Sequence, residues 1–177
     1  GDTLRRIVAR AREAGGLVIH PYMAIEDVWD LAATVARESG ERVAVLGPPP
    51  PVTWIANDKA HFTDLVLDVL GEQWGVETHR SRDPREMASR LIELAGRNRR
   101  VGLKRTRCAS AMGNVVSRSR DVSGSNLDDL ERRVRAFLER TEWPGDEEVL
   151  IVAWEETSIS PSTQIWIPPL GSGPPRV

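Results

Sequence analysis

VGLKRTRCASAMGNVV, residues 101–116, decides how the rest of the chain is read. An apolar strand delivers Lys104, a run of small residues from Cys108 to Gly113 makes a turn, and Val115 with Val116 begins a returning strand. That is the outline of a flexible hairpin able to close backbone N–H groups over a phosphate. The chain of 177 residues holds 24 Lys plus Arg, and its two lysines are Lys59 and Lys104. Elsewhere positive charge is written as arginine, in RRIVARAR, RNRR and RSR. The exceptions mark places where a compact ammonium does what a planar guanidinium does not, such as binding phosphate as a point charge. Two lysines left by chance on a solvated face is the plain alternative.

The totals narrow the field. A hydrophobic share of 40% is enough for one generous domain or two small subdomains. The net charge of −2 gives no general basic field, so nucleic acid is not an expected partner. No apolar run approaches the ~20 residues of a membrane helix, and no signal-peptide pattern is present. One cysteine forms no internal disulfide, and a cytoplasmic setting is expected. The chain starts with Gly and ends in PPLGSGPPRV, which suggests a piece of a protein continuing in both directions.

Upstream of the hairpin, Thr3 is placed to cap a helix with Leu4, Ile7, Val8 and Ala11 at helical spacing, ended by Gly15 and Gly16. GLVIH (16–20) and VAVL (43–46) are short continuous apolar runs, as in buried parallel strands, around a helix over 25–39 that stops at Gly40. Strand, helix and strand in about thirty residues predict a parallel pair. The proline run after Gly47 reads as a rigid exit. Asn57 or Asp58 caps a helix carrying Lys59, Phe62, Leu65, Val66, Val69 and Leu70 up to Gly71. A cation in a first helical turn is unfavourable unless an anion accompanies it, and either a bound phosphate or Asp58 supplies one.

Residues 75–78 give a modest strand signal. Asp83, Pro84 and Glu86 open a helix whose core face is Met87, Leu91 and Ile92, with Leu94 to one side. Downstream of the hairpin, a polar loop SRSRDVSGSN leads to a helix over 127–140 with Leu130, Val134, Phe137 and Leu138 inside. VLIVAW (149–154) is the strongest strand, and 164–167 predicts one more. The fold class is therefore α/β followed by α+β, with a βαβ unit before the prolines and a mixed or antiparallel sheet with helices after them.

WIANDKAHFTDLV, followed by VGLKRTRCASAMGNVV, a helix and VLIVAWEE, resembles the N-terminal half of an ATP-grasp domain preceded by the end of its Rossmann-like partner domain. HPYM, NDK and SPSTQIWIPPLGSGPP narrow the resemblance to ATP-grasp peptide ligases of the pheganomycin-biosynthesis type. The resemblance implies a division into 1–52, the end of the pre-ATP-grasp domain, and 53–177, an ATP-grasp part truncated before its metal-binding strands. It implies ATP as cofactor, with Lys59 and Lys104 on the phosphates and Ala109, Ser110, Ala111, Met112, Gly113 and Asn114 as the loop over them. Val152, Ala153 and Trp154 would line the adenine pocket, with Glu155 or Glu156 near the linker or ribose.

The same resemblance implies an enzyme, in its full length, that activates a carboxylate as an acyl phosphate for attack by an amine. Such enzymes use a later Asp, Glu and Asn set to hold Mg2+, and no such set follows Glu156, so Mg2+ is expected only in the full-length protein and this chain alone is half a site. The catalytic residues and both substrates are left unnamed, and a homodimer stays open. The alternative is a non-catalytic nucleotide-binding or protein-interaction module.

Other side chains suggest less. His61 and His79 have no metal-ligand spacing with each other or with Cys108, and Cys108 has no defined base partner. His20 reads as structural or ligand-neighbouring. Trp29, Trp54 and Trp166 fall among apolar neighbours and read as core, whereas Trp154 ends a strand and reads as a ligand platform. No G-x-G-x-x-G follows the first strand, which argues against a dinucleotide cofactor domain.

Overall fold

The computed structural model describes residues 1–108, 112–159, 165, 167–168 and 171–175. The strand expected over 164–167 falls largely outside them.

The first unit is built as its apolar spacing dictates. Helix α1 (Asp2–Ala14) and helix α2 (Glu26–Ser39) both stop where a glycine, Gly15 or Gly40, takes the left-handed conformation. Thr3 lies inside α1, and no side chain caps that helix. Strands β1 (Leu17–Ile19) and β2 (Val43–Val45) pair in parallel, Leu17 opposite Val43 and Ile19 opposite Val45. Val8, Ala11 and Val35 form their core, with Leu4, Ile7 and Leu31 against it.

The proline run turns into structure rather than a plain exit. Helix α3 (Pro50–Asn57) starts there because Pro50 and Pro51 occupy its first turn, where a helix has no use for the missing N–H. Asp58, and not Asn57, caps helix α4 (Lys59–Leu70), accepting from the N–H groups of Ala60 and His61.

Four strands make the second sheet: β3 (Thr78–Ser81), β4 (Arg100–Arg105), β5 (Asn114–Arg118) and β6 (Val149–Ala153), in the order β3-β6-β4-β5, every pair antiparallel. The hairpin 101–116 pairs Lys104 with Asn114 and Gly102 with Val116. Strand β3 lies three residues later than 75–78. It is a polar edge strand, THRS, so its residues carry little of the apolar signal by which strands are found.

Helix α5 (Pro84–Ala95) is capped by Asp83, and helix α7 (Leu127–Arg140) by Asn126. Both cover one face of the sheet, burying Met87, Leu91, Leu130, Val134, Phe137 and Leu138 against Val101, Leu103, Val149 and Ile151. Leu94 is fully buried in that core instead of lying to one side, because α5 is enclosed by both the sheet and α7. The polar segment 117–126 is not all loop: β5 runs into it and a short helix α6 (Ser119–Ser123) buries Val122.

Strand β6 is buried on both faces. Its odd members meet α5 and α7, while Leu150 and Val152 meet Ala60 of α4. Burial on both sides explains a continuous apolar run in an antiparallel sheet. No helix among the described residues is long and apolar enough to cross a membrane.

Candidate functional site

The side-chain period of two divides β4 sharply. Val101 and Leu103 face the core, so Gly102 and Lys104 face the other way, onto the side that α4 only partly covers. A cavity of about 370 Å3 opens there between α4 and the sheet. It brings together Lys59 and Phe62 from α4, Lys104 from β4, and Val152, Ala153, Trp154 and Glu155 from the end of β6. Ligand sites span roughly 300–1,000 Å3.

Lys104 is half-buried, and its Nζ stands 4.6 Å from the centre of the Trp154 ring, a cation–π distance. Burial, and then the Lys59 ammonium, hold Lys104 below the usual lysine range. The Trp154 ring lies across Gly102. A Cβ added at Gly102 would meet Trp154 Cε3 at 3.1 Å and the Val115 carbonyl oxygen at 2.6 Å, so only glycine lets the ring sit against the strand.

Lys59 is arranged differently. Its Nζ donates to the carbonyls of Cys108 (2.7 Å), Arg105 (3.0 Å) and Thr106 (3.3 Å), which takes up all three donors of an ammonium. Burial lowers the Lys59 pKa, and the nearby carboxylates of Glu147 and Asp58 oppose that shift only in part. The capping carboxylate next door also accepts from Arg107 Nε at 2.9 Å.

The turn that holds Lys59 is fixed from its other side by Glu147. One carboxylate oxygen accepts from Thr106 Oγ1 (2.5 Å) and the Arg107 N–H (2.7 Å), and the other accepts from the Arg105 guanidinium, which also donates to the Thr141 carbonyl. Burial alone would raise the Glu147 pKa, and the Thr106, Arg105 and Arg107 bonds outweigh it, so the group stays below the usual carboxylate range. Sequence reading missed Arg105, Thr106, Arg107 and Glu147. The signal was the strand period: it puts Arg105 on the same inward face as Val101 and Leu103, where a charge needs a partner.

The other expected site residues are scattered. Glu156 does not line the cavity and pairs with Arg100 at 2.9 Å and Arg99 at 3.5 Å. Met112 is 73% exposed. Gly113 is buried, its carbonyl accepting from the Arg105 N–H at 2.8 Å, and a Cβ there would fall 2.3 Å from Cys108 Cβ. Ala109, Ser110 and Ala111 lie outside the described residues. The N–H groups of Ala153 and Trp154 already donate to the carbonyls of Glu77 and Arg100, both at 2.9 Å. Trp54, expected in the core, is 38% exposed because α3 carries it to the surface.

No family model matches the chain, and no curated protein matches it. Among solved structures, it is similar to D-alanyl-alanine synthetase A from Vibrio cholerae O1 biovar eltor, with 14% identity and a TM-score of 0.50. The likeness covers 78% of this chain and 38% of that one. At that identity it shows the fold alone, a mixture of helices and antiparallel sheet. It does not reach the narrower resemblance to ligases of the pheganomycin-biosynthesis type.

Proposed function

We propose that the chain is the nucleotide-holding part of an ATP-dependent ligase that joins a carboxylate to an amine through an acyl phosphate, of the ATP-grasp kind and nearest the pheganomycin-type peptide ligases. One observation carries this reading: a single ligand-sized cavity gathers both lysines with Val152, Ala153, Trp154 and Glu155. The fold likeness to a D-alanyl-alanine synthetase supports it. On this reading residues 1–52 end a pre-ATP-grasp domain and residues 53–177 belong to the ATP-grasp part. A cytoplasmic setting goes with it.

ATP, when bound, supplies the phosphoryl group that makes a carboxylate a good acyl donor. The residues present suit such a ligand. Lys104 offers an ammonium inside a low-dielectric cavity, where its attraction for phosphate is stronger than in water. Lys59 adds its charge and holds the turn at Arg105, Thr106 and Cys108. Trp154 presents a ring beside Lys104, and with the N–H groups of Ala153 and Trp154 already used, Glu155 is the first residue of this strand end able to offer a backbone donor to a base.

Magnesium is a different matter. Among the described residues no three His, Cys, Asp or Glu side chains come together as a metal would need, so no step is assigned to a metal here. Incubation of a full-length ligase containing this chain with ATP, magnesium and paired carboxylates and amines tests the ligase reading. ADP release that requires both partners is expected. Nucleotide binding with no ADP release for any pair contradicts it.

A further inference from the structure

We propose that a second cavity, beside the first, binds a small organic carboxylate with an aromatic or comparably bulky apolar body. This cavity measures about 540 Å3 and is walled by Tyr22, Met23, Trp54 and Phe62, with Lys59 and Arg107 at its charged end. Its apolar walls with a few convergent polar groups have the make-up of a small-molecule site.

Three aromatic rings face this space while exposed: Tyr22 at 89%, Phe62 at 54% and Trp54 at 38%. Rings left in water around a concavity are unfavourable unless something apolar covers them. Trp54 is also held in place. Trp54 Nε1 donates to Glu26 at 2.7 Å, and Thr53 Oγ1 donates to the Ala24 carbonyl at 3.2 Å, which ties the segment carrying Tyr22 and Met23 to α3. Close packing of Gly47 on Ala24 tightens the same joint.

Charge selects the ligand's other end. Among the described residues no carboxylate lines this cavity, whereas the neighbouring cavity beyond Trp54 is lined by Asp58, Asp146, Glu147 and Glu148. Arg107 pairs with Asp58 through Nε, and its terminal nitrogens donate to no protein group among the described residues. Lys59 keeps its donors on backbone carbonyls but contributes an ammonium that no carboxylate among the described residues neutralises by direct contact. An anion is therefore favoured at that end, and a cation is not.

Lys59 and Phe62 line both cavities, so a carboxylate held by Arg107 beside the Lys59 charge would lie next to the nucleotide cavity. Naming it the carboxylate substrate rests on the ligase reading. Binding itself does not, and is measured without nucleotide.

Calorimetric titration with phenylacetate, acetate and benzylamine tests the pocket. Saturable binding of phenylacetate alone is expected, weakened roughly tenfold by Tyr22→Ala and by Arg107→Gln. Tyr22 is exposed enough that its truncation leaves the fold intact, which circular dichroism verifies. Absence of phenylacetate binding, equal binding of benzylamine, or unchanged affinity in both variants overturns the proposal. Phenylacetate binding in a protein that takes no ATP supports the pocket and removes the ligase reading. ATP binding without phenylacetate binding does the reverse.

Discussion

Lys59 Nζ donates to the Cys108 carbonyl at 2.7 Å, across 49 residues of sequence, and its other two donors go to the same turn. The ammonium therefore tethers α4 to the root of the hairpin loop. Lys59→Met should lower stability by on the order of 2 kcal/mol, since charge-assisted bonds to three carbonyls are lost. Lys104→Met should lower it little or not at all, because burial disfavours the Lys104 charge and no carboxylate among the described residues pairs with it. Urea unfolding of the two variants checks this. Equal losses would mean that the two lysines play one role.

Lys104 makes stability depend on pH with a definite sign. Burial and the Lys59 charge hold its folded pKa below the ordinary value of 10.5, so the folded state binds this proton less tightly than the unfolded one. The penalty is fully present below the folded pKa and vanishes as pH rises from there toward 10.5. The wild type should accordingly gain stability relative to Lys104→Met as pH climbs through that window. Matched urea titrations at neutral and alkaline pH measure the difference, and a wild type that loses stability relative to the variant would show the opposite shift.

Glu147 ties together Arg105, Thr106 and the Arg107 N–H, and both Arg105 and Glu147 have side chains only 9% exposed. Removing one partner of a buried pair leaves a charge uncompensated. Glu147→Ala should cost about 3–5 kcal/mol, and Glu147→Leu combined with Arg105→Met should cost clearly less than the two single changes summed. Thermal or urea unfolding of the wild type, Glu147→Leu, Arg105→Met and the double variant gives the coupling. Simple additivity would mean that the knot carries no shared energy.

Much of this was legible because it rests on short-range chemistry. Asp58 and Asp83 cap helices by their own side chains, and the hairpin and VLIVAW are strands by composition alone. Placing Lys59, Lys104, Trp154 and Glu155 around one space needed the resemblance, since nothing in spacing says which face of β4 meets α4. Helix α3 stayed hidden because prolines that start a helix and prolines that end a strand look alike in sequence. The Arg105–Glu147 pair stayed hidden because its partners are 42 residues apart, and the reach of Lys59 to carbonyls could not be read from side chains at all. Exposed apolar residues on α4, Leu65, Val69 and Leu70, likewise gave no hint that they face outward.

The central claim is that the cavity between α4 and the sheet holds ATP with Lys104 on its phosphates. Titrating wild type and Lys104→Ala with ATP by calorimetry tests it most directly. Saturable binding in the wild type and affinity lower by roughly tenfold or more in Lys104→Ala is the predicted result. No saturable binding in the wild type, or the same affinity in both proteins, would contradict it.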